Sequence, residues 1–159
     1  MLTLTDCPTS ISTREAEALQ RWACGRRVVE AGSLLGGSTI IIAEVAAHVT
    51  SIDKHKDYTT PTFKRFMSNL RRAGVAYKVG AVVGDVRQEL PKVHADFAFL
   101  DLTGEFHLTR QALEAIQAPL IGVHDFGRVH CSGVEQAICE LGYEILEHVD
   151  TLVVCRKPG

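Results

Sequence analysis

The 159-residue sequence predicts an α/β fold: one doubly wound, mostly parallel sheet of about seven strands with helices on both faces. Two observations predict it. Apolar stretches of the length of buried parallel strands alternate with stretches of helical periodicity. The last two apolar stretches follow each other directly, which is typical of an antiparallel hairpin. No internal repeat or linker interrupts the pattern, so we expect a single domain over residues 1–159.

The predicted strands are five apolar stretches followed by a terminal hairpin. The five parallel strands are residues 27–31, 49–53, 75–83, 95–101 and 119–123. The hairpin pairs residues 143–148 with residues 151–156 around Val149-Asp150, so the last strand is expected to be antiparallel.

Helices are predicted before and between these strands. Ser12 or Thr13 caps the first helix, Gly25 ends it, and residues 1–11 form a lead-in without packing. A second helix runs through Ala47, and a third begins at Pro61 with Thr60 as its cap. Three more are expected over residues 86–90, over residues 105–117, and from the end of the loop at residues 126–132 to about residue 141.

Composition and charge narrow the possible partners. Apolar residues make up 46% of the chain and charged residues 23%, which indicates a globular protein with a core. The formal net charge of -2 and the scattered basic residues argue against nucleic acid binding. Five cysteines without a Cys-x-x-Cys pair predict neither a disulfide framework nor a zinc site. Without a signal-like or membrane-spanning stretch, we expect a cytoplasmic protein that does not bind membranes.

A glycine-rich turn follows the first strand and leads into a helix. Gly32, Gly36 and Gly37 can adopt positive φ and allow a ligand to approach the backbone closely. The helix start beyond them offers free N–H groups to an electron-rich ligand. The spacing does not match the G-x-G-x-x-G pattern of NAD-binding proteins, so a different nucleotide-like ligand is expected.

An acidic residue lies at the end of each predicted parallel strand. Ligands in open α/β sheets bind beyond the carboxyl ends of the strands, close to the point where the strand order reverses. We therefore expect these carboxylates to surround one site. They are Glu30, Asp53, Asp85, Asp101 and Asp125.

Residues 30–39, Glu-Ala-Gly-Ser-Leu-Leu-Gly-Gly-Ser-Thr, resemble the first motif of class I S-adenosylmethionine-dependent methyltransferases, in the branch that acts on small-molecule oxygens. Residues 49–53, 69–74 with 83–85, 96–101 and 123–126 resemble further segments of that family, so the resemblance covers nearly the whole chain. It implies a Rossmann-like fold, S-adenosylmethionine as cofactor, and methyl transfer to a small-molecule acceptor.

The resemblance also implies roles for individual residues. Glu30 is expected near the methionine amino group, with residues 32–37 under the methionine and ribose. Asp53 is expected to accept the ribose diol and Asp85 to contact adenine, and carboxylates suit both the hydroxyl donors and a cationic sulfonium. The complete expected cofactor set is Glu30, Gly32, Ser33, Gly36, Gly37, Ser38, Asp53, Lys54, Gly84, Asp85 and Asp101.

The expected catalytic residues are His124, Asp125 and Asp101. His124 is the first candidate for a general base, because the pKa of an unperturbed histidine lies near neutrality. A divalent metal held by Asp101 and Asp125 is the alternative means of activating the acceptor hydroxyl. His107 and His130 lie in neighbouring segments, whereas a packing role is expected for Cys131.

The chain departs from the family after its fourth strand. Relatives carry Asp-Gly-Asp-His there, and this sequence has Asp101-Leu102-Thr103-Gly104. The departure leaves two alternatives open: an S-adenosylmethionine-binding sensor or partner subunit without methyl transfer, and another nucleotide-dependent enzyme. Few residues lie outside the minimal core, so a second subunit in a homo-oligomer is a further candidate to complete the acceptor site.

Overall fold

A computed structural model describes residues 7–56 and 62–159. Its strands are β1 (Arg27–Ala31), β2 (His48–Asp53), β3 (Val79–Val83), β4 (Phe97–Leu100), β5 (Leu120–Val123), β6 (Glu144–Val149) and β7 (Leu152–Arg156). They form one sheet in the order β3-β2-β1-β4-β5-β7-β6. Strands β1 to β5 are parallel, and β7 is antiparallel to both of its neighbours. The predicted fold class is confirmed.

Helices cover both faces of the sheet. They are α1 (Thr13–Ala23), α2 (Gly37–Ala43), α3 (Phe63–Arg72), α4 (Val86–Glu89), α5 (Phe106–Ala115) and α6 (Ser132–Glu140). Leu19, Ile42 and Phe66 from α1 to α3 belong to the core on one face. Leu113 and Ile138 from α5 and α6 belong to the core on the other. Burial on both faces explains why the central strands are continuously apolar.

The predicted N-terminal cap of α1 is confirmed at Ser12. Its hydroxyl accepts a hydrogen bond from the Glu15 N–H at 3.2 Å, and the Glu15 carboxylate accepts one from the Ser12 N–H at 2.8 Å. This reciprocal pair is a capping box, which satisfies two backbone donors at the helix start.

Two predicted element boundaries are wrong. Helix α2 ends at Ala43 rather than Ala47, because the chain turns back there and the Ala47 N–H donates to the Arg26 carbonyl at 2.9 Å. Strand β3 begins at Val79, since residues 76–78 form a 3-10 turn. The Lys78 ammonium donates to carbonyls at the end of α2, including that of Ala43 at 3.1 Å. The predicted start of the third helix at Thr60 and Pro61 lies outside the described residues.

Residues 7–11, which we call the N-terminal strap, pack against the protein. Cys7 and Ile11 are buried, and the Cys7 thiol donates to the Leu35 carbonyl at 3.3 Å. The Asn69 amide on α3 lies 3.4 Å from the Cys7 sulfur and donates to the same carbonyl at 2.8 Å. The prediction of an unpacked lead-in is therefore wrong for residues 7–11.

The strand order reverses between β1 and β4, so the segments after these two strands diverge and leave a crevice at one edge of the sheet. Among residues 7–56 and 62–159, no helix has both the length and the hydropathy that a membrane crossing requires.

Candidate functional site

A cavity of about 460 Å³ lies at this edge. The turn at residues 32–37, which we call the glycine loop, lines it with all of its residues except Gly36, and the adjoining Ser38 also lines it. Pro8, Thr9 and Ser10 of the strap also line it, together with Asp53 and Asp101 from the ends of β2 and β4. This volume lies within the range of small-molecule and cofactor sites.

The glycine loop adopts a conformation that requires glycine at two positions. Gly32 and Gly36 have φ of 89° and 92°, a region that L-residues rarely adopt. A Cβ atom on Gly32 would lie 2.0 Å from the backbone oxygen of Asp101. The ends of β1 and β4 therefore touch through this glycine. A Cβ atom on Gly36 would meet the Phe66 ring, and one on Gly37 would meet the strap.

Asp53 holds the glycine loop against the end of β2. One carboxylate oxygen accepts the N–H groups of Ser33 and Leu34, each at 2.8 Å, and the other accepts the His55 N–H at 2.6 Å. A carboxylate oxygen has two lone pairs. The second oxygen therefore keeps one lone pair for a hydroxyl group in the cavity.

Ser33 is a polar residue of the glycine loop, and it lines the cavity. The residue is 4% exposed, and its hydroxyl has no hydrogen-bond partner among the described residues. A buried hydroxyl without a partner is costly, and a ligand that bonds it would remove that cost. Of the expected cofactor set, the residues that line the cavity are Gly32, Ser33, Gly37, Ser38, Asp53 and Asp101.

Glu30 lies beneath the loop and does not line the cavity. It is fully buried, and its carboxylate accepts hydrogen bonds from the hydroxyls of Ser38 and Thr39 at 2.5 Å and of Ser51 at 3.0 Å. The predicted contact with a methionine amino group does not fit this geometry. Glu30 instead joins β1, β2 and the start of α2, which fixes the loop from below.

Glu30 gives the folding stability a pH dependence. Burial raises the pKa of Glu30 to about 7, against the opposing effect of its three hydroxyl donors. The folded protein then holds a proton that the unfolded chain releases near pH 4.5, so stability decreases as the pH rises from about 4.5 to 7. We expect Glu30→Gln to remove up to about 1.4 kcal/mol per pH unit of this slope, measured by urea unfolding at several pH values. The exposed Glu135→Gln should retain the wild-type slope, and a wild-type slope in Glu30→Gln would contradict the assignment.

Asp85 is engaged by two cations at the end of β3. Its carboxylate lies 2.6 Å from a guanidinium nitrogen of Arg87 and 3.0 Å from the Lys54 ammonium. The hydrogen bond from the Arg87 side chain and the Lys54 charge hold the pKa of Asp85 well below its usual range. Asp85, Lys54 and Gly84 do not line the cavity, so the predicted adenine contact of Asp85 is not met in this arrangement.

His124 is enclosed at the end of β5, and its side chain has no exposed area. Its Nδ1 atom lies 3.3 Å from Asp101 and 3.4 Å from Asp125. Nε2 lies 3.3 Å from a Glu15 oxygen and 3.2 Å from the Thr151 hydroxyl. That hydroxyl donates its hydrogen to Glu15 at 2.8 Å. Both ring nitrogens therefore face carboxylate oxygens.

The predicted role of His124 as general base is wrong for this geometry. Burial alone would lower the pKa of His124, but the hydrogen bond with Asp101 and the charges of Asp101, Asp125 and Glu15 raise it. The side chain of His124 is fully enclosed and does not line the cavity, so it cannot accept a proton from an acceptor hydroxyl there. Of the three predicted catalytic residues, only Asp101 lines the cavity.

Glu15 is the member of this cluster that the sequence did not predict. Its carboxylate accepts the Ser12 N–H and both the N–H and hydroxyl of Thr151, each at 2.8 Å. Burial opposes ionisation, but these donors and the His124 charge lower the pKa of Glu15. The capping-box spacing Ser12-x-x-Glu15 was the one signal in the sequence that could have pointed to Glu15. It predicts a helix cap, however, and not a contact with His124, which lies 109 positions away.

The alternative role of Asp101 and Asp125 as metal ligands can be tested against their neighbours. One donor atom each from Asp101, His124 and Asp125 lies within 4.8 Å of the others. Any proton on the Nδ1 atom of His124 would have to leave before that atom could bind a metal. The Arg128 guanidinium also lies 3.1 Å from the Asp125 oxygen that faces His124. A divalent metal would therefore have to displace Arg128 from Asp125, and the metal stays an expectation from the sequence.

Comparison with solved structures finds O-methyltransferases of the same architecture. A SAM-dependent O-methyltransferase from Thermotoga maritima gives a TM-score of 0.76 at 15% identity, over 96% of this chain and 68% of that one. The O-methyltransferase TomG from Streptomyces achromogenes, in complex with SAM, gives a TM-score of 0.69 at 20% identity, over 94% of this chain and 82% of TomG. The chain has the Rossmann-like methyltransferase fold. An O-methyltransferase from Bacillus cereus in complex with SAH gives a TM-score of 0.68 at 17% identity, over 96% of this chain and 86% of that one. No protein-family model and no curated protein sequence matches the chain.

The remaining candidate residues lie outside the cavity of this methyltransferase fold. His107 and His130 are exposed. Cys131 packs against Gly104, where an added Cβ would lie 2.7 Å from its sulfur. Burial and the nearby Asp125 charge raise the pKa of the Cys131 thiol, which fits the predicted packing role rather than a nucleophile.

Proposed function

We propose that the protein binds S-adenosylmethionine in the cavity above the glycine loop and transfers its methyl group to an oxygen of a small molecule. The observation that carries the proposal is a single cavity lined by the glycine loop and by two carboxylates, Asp53 and Asp101. S-adenosylmethionine suits that arrangement, because it is a sulfonium cation that carries a ribose. The TomG and Bacillus cereus structures, with SAM and SAH, support it.

The ribose is assigned to the Asp53 end of the cavity. The free lone pair of Asp53 can accept one ribose hydroxyl while its other bonds keep the loop in place. The second ribose oxygen is assigned to the Ser33 hydroxyl, which is buried and has no hydrogen-bond partner among the described residues. This division replaces the predicted binding of both hydroxyls by Asp53 alone.

Methyl transfer requires the acceptor oxygen to be aligned with the methyl group and water to be excluded, because the sulfonium itself supplies the leaving group. Asp101 is assigned to the acceptor, since it is the predicted catalytic residue that lines the cavity. Its carboxylate would orient the acceptor hydroxyl and accept its proton. Pro8, Thr9 and Ser10 would restrict the access of water from the side of the strap.

Calorimetry and methyl transfer test the proposal in two steps. We expect binding of S-adenosylmethionine and S-adenosylhomocysteine with none of NAD, and transfer of a labelled methyl group to members of a pooled small-molecule library. Binding of NAD with none of the methionine cofactors would refute the proposal.

A second candidate function is S-adenosylmethionine binding without methyl transfer. It is favoured by the enclosure of His124 and Asp125, which leaves Asp101 without a second catalytic group from the predicted set in the cavity. Cofactor binding without transfer to any acceptor, under all conditions tried, would support this candidate over the first.

Asp53→Asn is expected to weaken S-adenosylmethionine binding about 10- to 100-fold, which corresponds to roughly 1–3 kcal/mol for a lost charged hydrogen bond. The amide keeps the size of the side chain but loses its charge, and its NH₂ group cannot accept from the loop. Asp96→Asn is the matched control, because Asp96 also accepts a backbone N–H, that of Arg27 at 2.9 Å, and does not line the cavity. Calorimetry should give wild-type affinity for Asp96→Asn. Equal affinities of the two variants for S-adenosylmethionine would show that Asp53 does not bind the cofactor.

A further inference from the structure

We propose that the free edge of β3 is a dimer interface: two copies of this chain pair their β3 strands antiparallel about a two-fold axis at Ala81. The pairing joins two seven-stranded sheets into one continuous sheet. No residue of β3 lines the cavity, so the inference holds whether or not the protein transfers a methyl group.

The two edge strands of the sheet, β3 and β6, differ in their protection against pairing with another chain. Strand β6 carries Glu144, Glu147 and His148, and its register with β7 shifts between Ile145 and Glu147. Charges and bulges of this kind keep edge strands from pairing with other chains. Strand β3 reads Val-Gly-Ala-Val-Val and pairs with β2 in unbroken register, so it has neither protection.

Alternate residues of β3 direct their backbone groups toward the open side of the strand. The Gly84 N–H donates to the Asp53 carbonyl at 3.0 Å, and in a parallel ladder every second residue bonds to the same neighbour. By this alternation, the N–H and C=O groups of Ala81 and Val83 face away from β2. No strand of the described residues pairs with them there. Such a row of free donors and acceptors is a template for a further strand.

The sequence of β3 is complementary to itself. Antiparallel pairing about Ala81 places Ala81 opposite its own copy and Val79 opposite Val83 of the second copy, and the second contact occurs twice. The outward N–H groups of Ala81 and Val83 then meet the carbonyls of Ala81 and Val79. Apolar β-branched side chains suit a pleated, half-buried surface. Because no charged side chain lies on β3, no like charges meet across the axis.

The two ends of β3 carry groups that attract each other. Tyr77, just before the strand, is 82% exposed. Beyond the other end, Lys54 and Arg87 share the single carboxylate of Asp85, and their side chains are 60% and 50% exposed. Antiparallel pairing brings the start of β3 in one copy to the end of β3 in the other, so an aromatic ring approaches a cluster with surplus positive charge. This contact also forms twice, which favours a second copy over an unrelated extended segment.

Hydrogen exchange in the wild-type protein tests the pairing directly. The outward amides of Ala81 and Val83 become protected only if another strand accepts their hydrogen bonds, whereas the Val82 amide bonds to β2 in either state. We expect slow exchange at Ala81 and Val83 at concentrations where analytical ultracentrifugation finds a dimer, and fast exchange on dilution to the monomer. The Val82 amide should stay protected throughout.

Three results of this experiment would overturn the inference. They are a monomer at every concentration, fast exchange at Ala81 and Val83 in a dimer, and protection of both amides in a monomer. The last result would show that a segment of the same chain covers the edge.

Val83→Lys tests the same edge by adding a charge where the side chain is 57% exposed. We expect the dimer dissociation constant to rise about tenfold or more, because both symmetry-related pairs with Val79 are lost. Ile145→Lys is the matched control, since Ile145 is a 44% exposed apolar residue on the other edge strand. It should dimerise as the wild type does. An unchanged constant in Val83→Lys, or a rise in Ile145→Lys alone, would refute pairing through β3. The exchange experiment decides the question even if Val83→Lys fails to fold.

Discussion

Replacing Asp101 by Asn is expected to reduce the rate of methyl transfer by about 10²- to 10⁴-fold, the usual contribution of a general acid–base group. The carboxylate lines the cavity at the end of β4, where it can accept the proton of an acceptor hydroxyl. An amide has the same shape and cannot accept that proton. Single-turnover kinetics with saturating S-adenosylmethionine would measure the effect on transfer apart from cofactor binding.

Asp125→Asn is the matched control for this substitution. Both carboxylates contact Nδ1 of His124, at 3.3 and 3.4 Å, so both variants disturb the same buried ring. Only Asp101 of the two lines the cavity. We expect a loss of less than tenfold in Asp125→Asn. Similar losses of activity in both variants would indicate that the loss results from disturbing the His124 ring. Wild-type activity in Asp101→Asn would exclude Asp101 as the base.

Features set by local chemistry could be predicted from the sequence. The glycine loop was recognisable because its backbone needs positive φ at Gly32 and Gly36. The cap at Ser12 followed from its spacing to Glu15. The doubly wound, mostly parallel sheet followed from alternating strands and helices with a terminal hairpin. These features depend on neighbours within a few residues, or on connection rules that hold for the whole fold class.

Features that depend on distant partners could not be predicted. Packing of the strap depends on Cys7 contacting Leu35 and Asn69, which lie 28 and 62 positions away. The role of Glu15 depends on His124, 109 positions away. No local pattern encodes these contacts.

The acids at the strand ends show the limit of the positional argument. A strand end places a Cα atom at the edge of the sheet but does not determine where its side chain lies. Asp53 and Asp101 line the cavity, Glu30 turns under the loop, and Asp85 and Asp125 pair with neighbouring arginines. The predicted convergence on one cavity is therefore met by two of these five carboxylates.

Gly32→Ala is expected to have the largest effect on folding, a loss of about 2–5 kcal/mol in the free energy of unfolding. Two costs contribute. A φ of 89° costs an alanine roughly 1–2 kcal/mol. The new Cβ would also lie 2.0 Å from the Asp101 backbone oxygen, and relieving such an overlap in a packed interior typically costs another 1–3 kcal/mol. Urea unfolding followed by circular dichroism would measure the sum.

Gly25→Ala separates the two costs of the Gly32 substitution. Gly25 has a φ of 69°, and an added Cβ there meets no atom within 4 Å, so this variant carries only the conformational cost. We expect it to lose roughly 1–2 kcal/mol. The difference between the variants is then the cost of pushing β1 away from β4, which would also displace Asp101 and lower the transfer rate. Equal stability in both variants would mean that the ends of these strands can separate freely. The close contact between Gly32 and the Asp101 backbone would then not explain how the cavity keeps its shape.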